Sequence, residues 1–280
     1  MTTWICRACG TQFPESERPP AVCPICEDPR QPVPPSGQAW TTPADLGAGH
    51  DAAIRVLERD PGGEPQLIGV GANPAFAIGQ RALLVRGPRG NVLWDCVPLL
   101  DDSISIAIDA WGGIDVIAIS HPHYYSTMVD WARQFGARIL LHEADREWVM
   151  RPDPAIEHWS GEALALPQGP TLIRAGGHFA GGTVLHWPEG AEGRGALLTG
   201  DILSVLPDAR LVSFMYSYPM LLPLPEPVVR RLLATIAERE FDRVYGAWWP
   251  RVIASGAKAA VAESARRYLD ALSGRLPLTN

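Results

Sequence analysis

Two sets of residues in this 280-residue chain have the types and the spacing for metal chemistry. Four of the five cysteines fall within the first 26 residues, as Cys6-x-x-Cys9 and Cys23-Pro24-Ile25-Cys26 with 13 residues between the pairs. Each C-x-x-C turn can aim two thiolates at one point. Two such turns close a tetrahedral four-sulfur site of the zinc-ribbon kind, able to fold a segment too small to hold a core of its own. An iron centre of the rubredoxin kind would accept the same sulfurs, whereas a redox dithiol would need only one pair. Either metal would be structural, since four protein ligands leave no open position.

The second set begins in AISHPHYYSTMVDW (118–131), where His121 and His123 follow a short apolar run. If the backbone stays extended, alternate side chains point the same way and both imidazoles can reach one ion. Two histidines at a strand end, bonded to water or backbone, would give the same local pattern. Two further stretches favour the metal. In AGGHFAGGTVLHW, His178 is flanked by Gly176, Gly177, Gly181 and Gly182, which let a loop turn tightly toward a site. In GALLTGDIL, Asp201 ends an apolar run after Gly200, where a carboxylate is costly to bury without a cation or donors.

The elements that must position these residues follow from the apolar periodicity. QLIGVG, ALLVRG and NVLWDCV, all after Pro65, read as strands, with Pro88 to Asn91 as a hairpin turn. Ser103 to Trp111 reads as a helix and Ile114 to Ser120 as a buried strand. Ser126 or Thr127 can cap a helix carrying Met128, Trp131 and Phe135 on one face and ending at Gly136, and Ala137 to His142 is the next strand. The histidine pair therefore lies past the carboxyl end of a strand, where open α/β sheets place their ligands. PTLIRA, GTVLHW and GALLTGD give three more strands. Two amphipathic helices follow, one on Val228, Val229, Leu232, Leu233 and Ile236, the other on Val261, Ala265, Tyr268, Leu269 and Leu272 with Gly274 as its stop. Residues 27–49, rich in proline, read as a linker without long elements and with Trp40 as an anchor. The expected domains are a ribbon with the start of its linker at 1–36 and an α/β domain at 37–280.

From about Gln66 to Arg251 the chain resembles the metallo-β-lactamase-fold hydrolases, through WDCV, HPH, GGHFAGG and LLTGD in that order. The resemblance implies an α/β protein, an αββα sandwich with a metal centre at one edge, here preceded by a small N-terminal zinc ribbon. It matches His121, His123 and His178 to the three histidines of the first metal site, Asp201 to the aspartate that bridges both metals, and Asp95 to a buried orienting aspartate. The departures concern the second metal. In the family signature H-x-H-x-D-H, Tyr125 replaces the aspartate and Ser126 the last histidine, and Tyr245-Gly246-Ala247-Trp248-Trp249-Pro250 stands where a glycine-histidine pair is usual. The expected centre is therefore mononuclear, holding one zinc or iron.

Three neutral imidazoles and an open position can bring the pKa of a metal-bound water to about 7. The expected function is hydrolysis by that single metal-bound hydroxide of an ester, thioester, amide or phosphoester, with Asp201 as fourth metal ligand or hydrogen-bond partner and with Asp201 and Tyr125 as catalytic candidates. Tyr125 or Tyr124 could donate to a developing oxyanion, fill the vacated volume, or ligate ferric iron. The alternative is a catalytically silent binding or scaffold protein that keeps the fold and the ribbon. His142, His158, His186 and Cys96 read as ordinary structural residues, and Trp248 and Trp249 as groove floor or packing.

Composition narrows the partners. A net charge of −7 and a pI near 5.5 disfavour nucleic acid. No apolar run approaches the roughly 18 residues that span a bilayer, and MTTWICRACG lacks a secretion signal. The expectation is a cytoplasmic protein acting on a small molecule, in a compartment where paired cysteines serve metals rather than disulfides.

Overall fold

Alternation along the strands decides the layers. In the strand Val116–Ala118, Val116 and Ala118 turn toward a second sheet while Ile117 faces the helices. Ala196–Gly200 does the same from the other side, with Ala196 and Leu198 inward and Leu197 outward. The computed structural model describes residues 1–57 and 63–276, so the last four positions of the expected 37–280 domain lie outside it.

Among the described residues, seven strands form one sheet in the order Ile156–Trp159, Arg138–His142, Val116–Ala118, Val92–Trp94, Ala82–Val85, Glu64–Asn73, Asp51–Leu57. The first four are mutually parallel, because the helices Asp102–Ala110 and Met128–Phe135 and the 3-10 stretch Glu143–Trp148 carry the chain back between them, and the rest are antiparallel. Six strands form the second sheet, Ala163–Ala165, Thr171–Arg174, Thr183–Trp187, Ala196–Gly200, Arg243–Gly246, Val252–Ile253. Helices Glu226–Ala237 and Ala257–Leu272 cover its outer face. Between the sheets lie Leu67, Leu83, Trp94, Leu185, Leu198 and their neighbours, each fully buried aliphatic side chain contributing about 1.5–3 kcal/mol. The layers are those of an αββα sandwich.

The ribbon is a three-stranded sheet of Gln12–Ser16, Thr2–Cys6 and Trp40–Thr41. Trp40–Thr41 comes from the stretch read as linker, and pairs with Ile5 and Cys6 while the Trp40 ring meets Phe13 edge-on at 5.0 Å. That stretch also holds the helix Pro43–Gly49, capped by the Thr42 hydroxyl, which accepts the Asp45 N–H at 3.1 Å. The first sheet also begins earlier than the sequence pattern suggested. Asp51–Leu57 is its edge strand, and its half-exposed side chains give no clean alternation.

Helix Met128–Phe135 starts after Thr127, which does not cap it. The Thr127 hydroxyl instead lies 3.0 Å from the Val97 carbonyl and 3.2 Å from that of Pro98, tying the helix start to the loop after Val92–Trp94. Gly136, at φ +66°, ends the helix as expected. No helix among the described residues is long and apolar enough to cross a membrane.

Candidate metal centre

His121 leaves the end of Val116–Ala118 in extended backbone, and Pro122–Tyr124 then forms one 3-10 turn closed by Tyr124 N–H to His121 O at 3.1 Å. The alternation expected from an extended H-x-H is therefore corrected. The turn still brings the imidazoles together, with His121 and His123 ring centroids 5.1 Å apart, and it carries Tyr124 back over His121 at 4.4 Å. His178 arrives from the opposite sheet on the glycine loop, whose ends close by Gly176 N–H to Gly182 O at 2.8 Å. The ring nitrogens available on His121, His123 and His178 lie within 4.8 Å of one another, and all three side chains are buried.

Asp201 follows Gly200 at the end of its strand and places Oδ1 3.2 Å from His121 Nε2 and 3.7 Å from His178 Nε2. Tyr218 helps to fix it, with its hydroxyl 3.0 Å from the Asp201 carbonyl and 3.1 Å from that of Ser213. Asp95, at φ +60°, accepts the Ser120 N–H at 2.7 Å, and the Ser120 hydroxyl lies 2.9 Å from His121 Nδ1. His121 is thus oriented from behind, leaving Nε2 to face the cluster. Gly200 is required at this junction, because a Cβ there would stand 2.6 Å from Ser120 Oγ.

Burial sets the charge state. It pushes His121 and His178 well below the ordinary imidazole range and His123 down to about 3, with the Arg30 guanidinium acting in the same direction. Burial also raises Asp201 to about 7, against the nearby Tyr124 phenol, and Asp95 to about 7, against its bonds from Ser120. Neutral imidazoles are the form that ligates metal.

The donor set fits an ion. His121 Nε2, His123 Nε2, both ring nitrogens of His178, Asp201 Oδ1 and the Tyr124 hydroxyl are buried without hydrogen-bond partners. Single orphans of this kind are rare in folded proteins, and one ring nitrogen from each of three histidines converging within 4.8 Å, beside Asp201 Oδ1, is the arrangement a cation satisfies. In the ribbon, Cys6, Cys9, Cys23 and Cys26 also converge. Their sulfurs approach to 3.5 Å (Cys6 and Cys26) and 3.7 Å (Cys9 and Cys23), close to the ~3.8 Å edge of a tetrahedron with bonds of about 2.3 Å.

The site opens into a cavity of about 80 Å³ lined by Ile78, Tyr216, Tyr218, Pro219 and Trp248 and, from beyond the ribbon, Arg30 and Gln31. Trp248 is groove wall, its indole N–H donating to Ile78 O at 3.1 Å. Trp249 is packing, pressed so closely on Gly69 that a Cβ there would stand 2.2 Å from the indole. Arg30, Ser120 and Tyr218 went unnoticed in the sequence, where a lone arginine, serine or tyrosine has no distinguishing spacing.

Tyr125 does not share the cavity. Past the 3-10 turn it points to the ribbon side, where it borders a small void with Thr11, Gln12 and Met150. Tyr124 is the ring beside the histidines and Asp201. His142 and His186 are held by the carbonyls of Gly161 and Glu240, and Cys96 is core.

Solved structures share this architecture. Over 76% of its length the chain superposes on 92% of a metallo-β-lactamase with a HARLDQ motif from Cronobacter sakazakii, at a TM-score of 0.50 and 17% identity. Over 74% it superposes on 92% of the metallo-β-lactamase SMB-1, solved with mercaptoacetic acid, at 0.51 and 18%. The protein therefore has the metallo-β-lactamase fold, with a four-cysteine ribbon at its N-terminus. No family model matches the sequence. The chain belongs to one family with the uncharacterized protein YmaE of Bacillus subtilis (strain 168), to which it is 46% identical over 276 residues, 99% of each chain.

Proposed function

We propose that the protein is a metal-dependent hydrolase that holds one zinc or iron ion on His121, His123 and His178 and cleaves an ester, thioester, amide or phosphoester. The observation that carries this reading is the convergence of buried, partnerless imidazole nitrogens on one point beside Asp201 Oδ1. An ion bound there supplies Lewis acidity and lowers the pKa of water toward neutrality.

The chain's own residues do the rest. Asp201, buried with Oδ1 beside the Nε2 atoms of His121 and His178, is placed to accept a proton at the ion, as a general base must. The aromatic walls Tyr216, Tyr218 and Trp248 exclude bulk water. A cavity of about 80 Å³ has room for several water molecules, far below the roughly 300–1,000 Å³ of a drug-sized site. It suits the reacting acyl or phosphoryl group, with the remainder of the substrate lying outside. The ribbon is read as a structural zinc site whose four cysteines lie within 1–36, with its third strand, Trp40–Thr41, supplied from the 37–280 side of that division.

The test is metal content per chain with zinc or iron supplied, together with turnover of small ester, thioester and phosphoester probes. Two ions in the wild type, one in His178→Ala, and metal-dependent turnover lost in that variant are expected. A folded wild type that fills only the ribbon overturns the reading and leaves a catalytically silent scaffold.

A further inference from the structure

The His178 ring is held by no side-chain hydrogen bond. His121 has Ser120 behind it, whereas neither ring nitrogen of His178 has a hydrogen-bond partner. Its loop starts with Gly176 and Gly177 at φ +70° and +106°, left-handed conformations that favour glycine. The His178 carbonyl is held from outside the sandwich. Arg30, four residues past the last ribbon cysteine, donates from Nη1 to it at 2.6 Å.

Arg30 is itself locked. Its Nε and Nη2 donate to the two carboxylate oxygens of Asp28 at 2.6 and 2.8 Å, and its guanidinium lies 3.8 Å over the Phe179 ring. Its own carbonyl accepts the Ser217 hydroxyl at 3.0 Å, beside the cavity wall. An arginine is suited to this place because its planar fork can bond a carboxylate and stack on a ring while one N–H reaches further. A lysine has no such fork.

We propose that Arg30 is a positioning residue for His178, through which the cysteine ribbon braces the histidine site. The inference rests on the reading of that site as metal-binding, and it assigns the ribbon a task that its four sulfurs do not reveal. Groups that orient a ligand from outside usually change metal affinity by about 10- to 100-fold when removed. By thermodynamic reciprocity, loading the histidine site must in turn tighten Arg30 on its loop.

The experiment uses the full chain with its ribbon metal in place. Zinc affinity at the histidine site is measured by competition with a chromophoric chelator, and amide hydrogen exchange is followed across 177–181. Arg30→Met is expected to weaken zinc about 10- to 100-fold, to speed exchange in that loop even without zinc, and to leave the ribbon ion bound. Arg30→Lys should fall between the two. Wild-type affinity and wild-type exchange in Arg30→Met overturn the proposal. If the wild type binds no zinc at the histidines, the hydrolase reading falls and the exchange data alone decide the role of Arg30. If Arg30→Met does not fold, Asp28→Asn takes its place, with faster loop exchange expected and unchanged exchange overturning the proposal.

Discussion

The Ser120 backbone N–H donates to Asp95 Oδ1 at 2.7 Å, and this bond fixes where His121 can point. Asp95 sits at the end of Val92–Trp94 and Ser120 past the end of the adjacent parallel strand, so the two strand ends are tied together. The Ser120 hydroxyl, held at that junction, then meets His121 Nδ1 at 2.9 Å. Removing it leaves a buried ring nitrogen without a partner, a loss of about 1–3 kcal/mol. Ser120→Ala is accordingly expected to lower unfolding stability by that amount and zinc affinity at the histidines by about 10- to 100-fold. Denaturant unfolding and chelator competition measure the two effects, and wild-type values in both would remove Ser120 from the site.

Gly182 tests how tightly the His178 loop is closed. A Cβ there would lie 2.1 Å from the Gly176 carbonyl oxygen, which is backbone and has nowhere to go, because the N–H of Gly176 is bonded to Gly182 O. Gly182→Ala should cost about 1–3 kcal/mol by forced overpacking and should empty the histidine site while the ribbon keeps its ion. Thermal unfolding and metal analysis would show it. A variant that retains both ions contradicts the geometry.

Asp145 gives the structure a pH dependence outside the histidine cluster. It is buried and accepts the Gly181 N–H at 2.8 Å, and burial outweighs that bond and the nearby Arg30 and Arg174 to raise its pKa to about 6, with Glu147 adding to the rise. A carboxyl raised above its unfolded value of about 3.9 contributes stability that is fully present below that value and is lost as pH rises through about 6. Asp145→Asn keeps an acceptor for Gly181 without the buried charge. The variant should gain on the wild type, on the order of 1–3 kcal/mol, between about pH 4 and pH 7. Parallel unfolding curves at all pH values would refute this.

Much of the site was legible because its residues sit where strong patterns end. Apolar runs locate the strand ends that carry Asp95, His121 and Asp201, and doubled C-x-x-C spacing locates the ribbon. The missed features are those with no local signal. Arg30 meets the carbonyl of His178, 148 positions away, from within a proline-rich stretch. Asp51–Leu57 escaped notice because an edge strand with half-exposed side chains shows no alternation. Thr127 looked like a helix cap because its type and place fit one, but two carbonyls of a distant loop compete for its hydroxyl.

The ribbon's cover over the main domain can be removed chemically. The Gln12 N–H donates to Ser126 O at 3.1 Å, and the Gln12 side chain reaches Asp130 at 2.6 Å. The ribbon therefore lies against the start of helix Met128–Phe135, through Ser126 and Asp130. Cys9→Ser removes one of four sulfur ligands. It should release the ribbon ion and speed amide exchange in helix Met128–Phe135, while the inter-sheet core stays protected. Metal analysis and hydrogen exchange test this, and a ribbon that keeps its ion without Cys9 would argue against a four-sulfur site.

The two adjacent tyrosines should differ sharply. The 3-10 turn Pro122–Tyr124 brings the Tyr124 ring to 4.4 Å from that of His121, with a buried hydroxyl that has no hydrogen-bond partner and whose pKa is raised by burial and the Asp201 carboxylate. One residue later the chain has turned, and Tyr125 borders the ribbon at Thr11 and Gln12. Tyr124→Phe removes a phenol facing Asp201 and should lower metal-dependent turnover by about 100-fold or more, the scale of losing a positioned proton donor. Tyr125→Phe should leave turnover within about twofold and change stability by only about 0.5–1.5 kcal/mol, the usual net worth of one hydroxyl. Because both rings are core side chains of the same cluster, any difference between the variants reports chemistry rather than packing. The reverse order of effects would place Tyr125 in the reaction, as its position in the sequence signature first suggested.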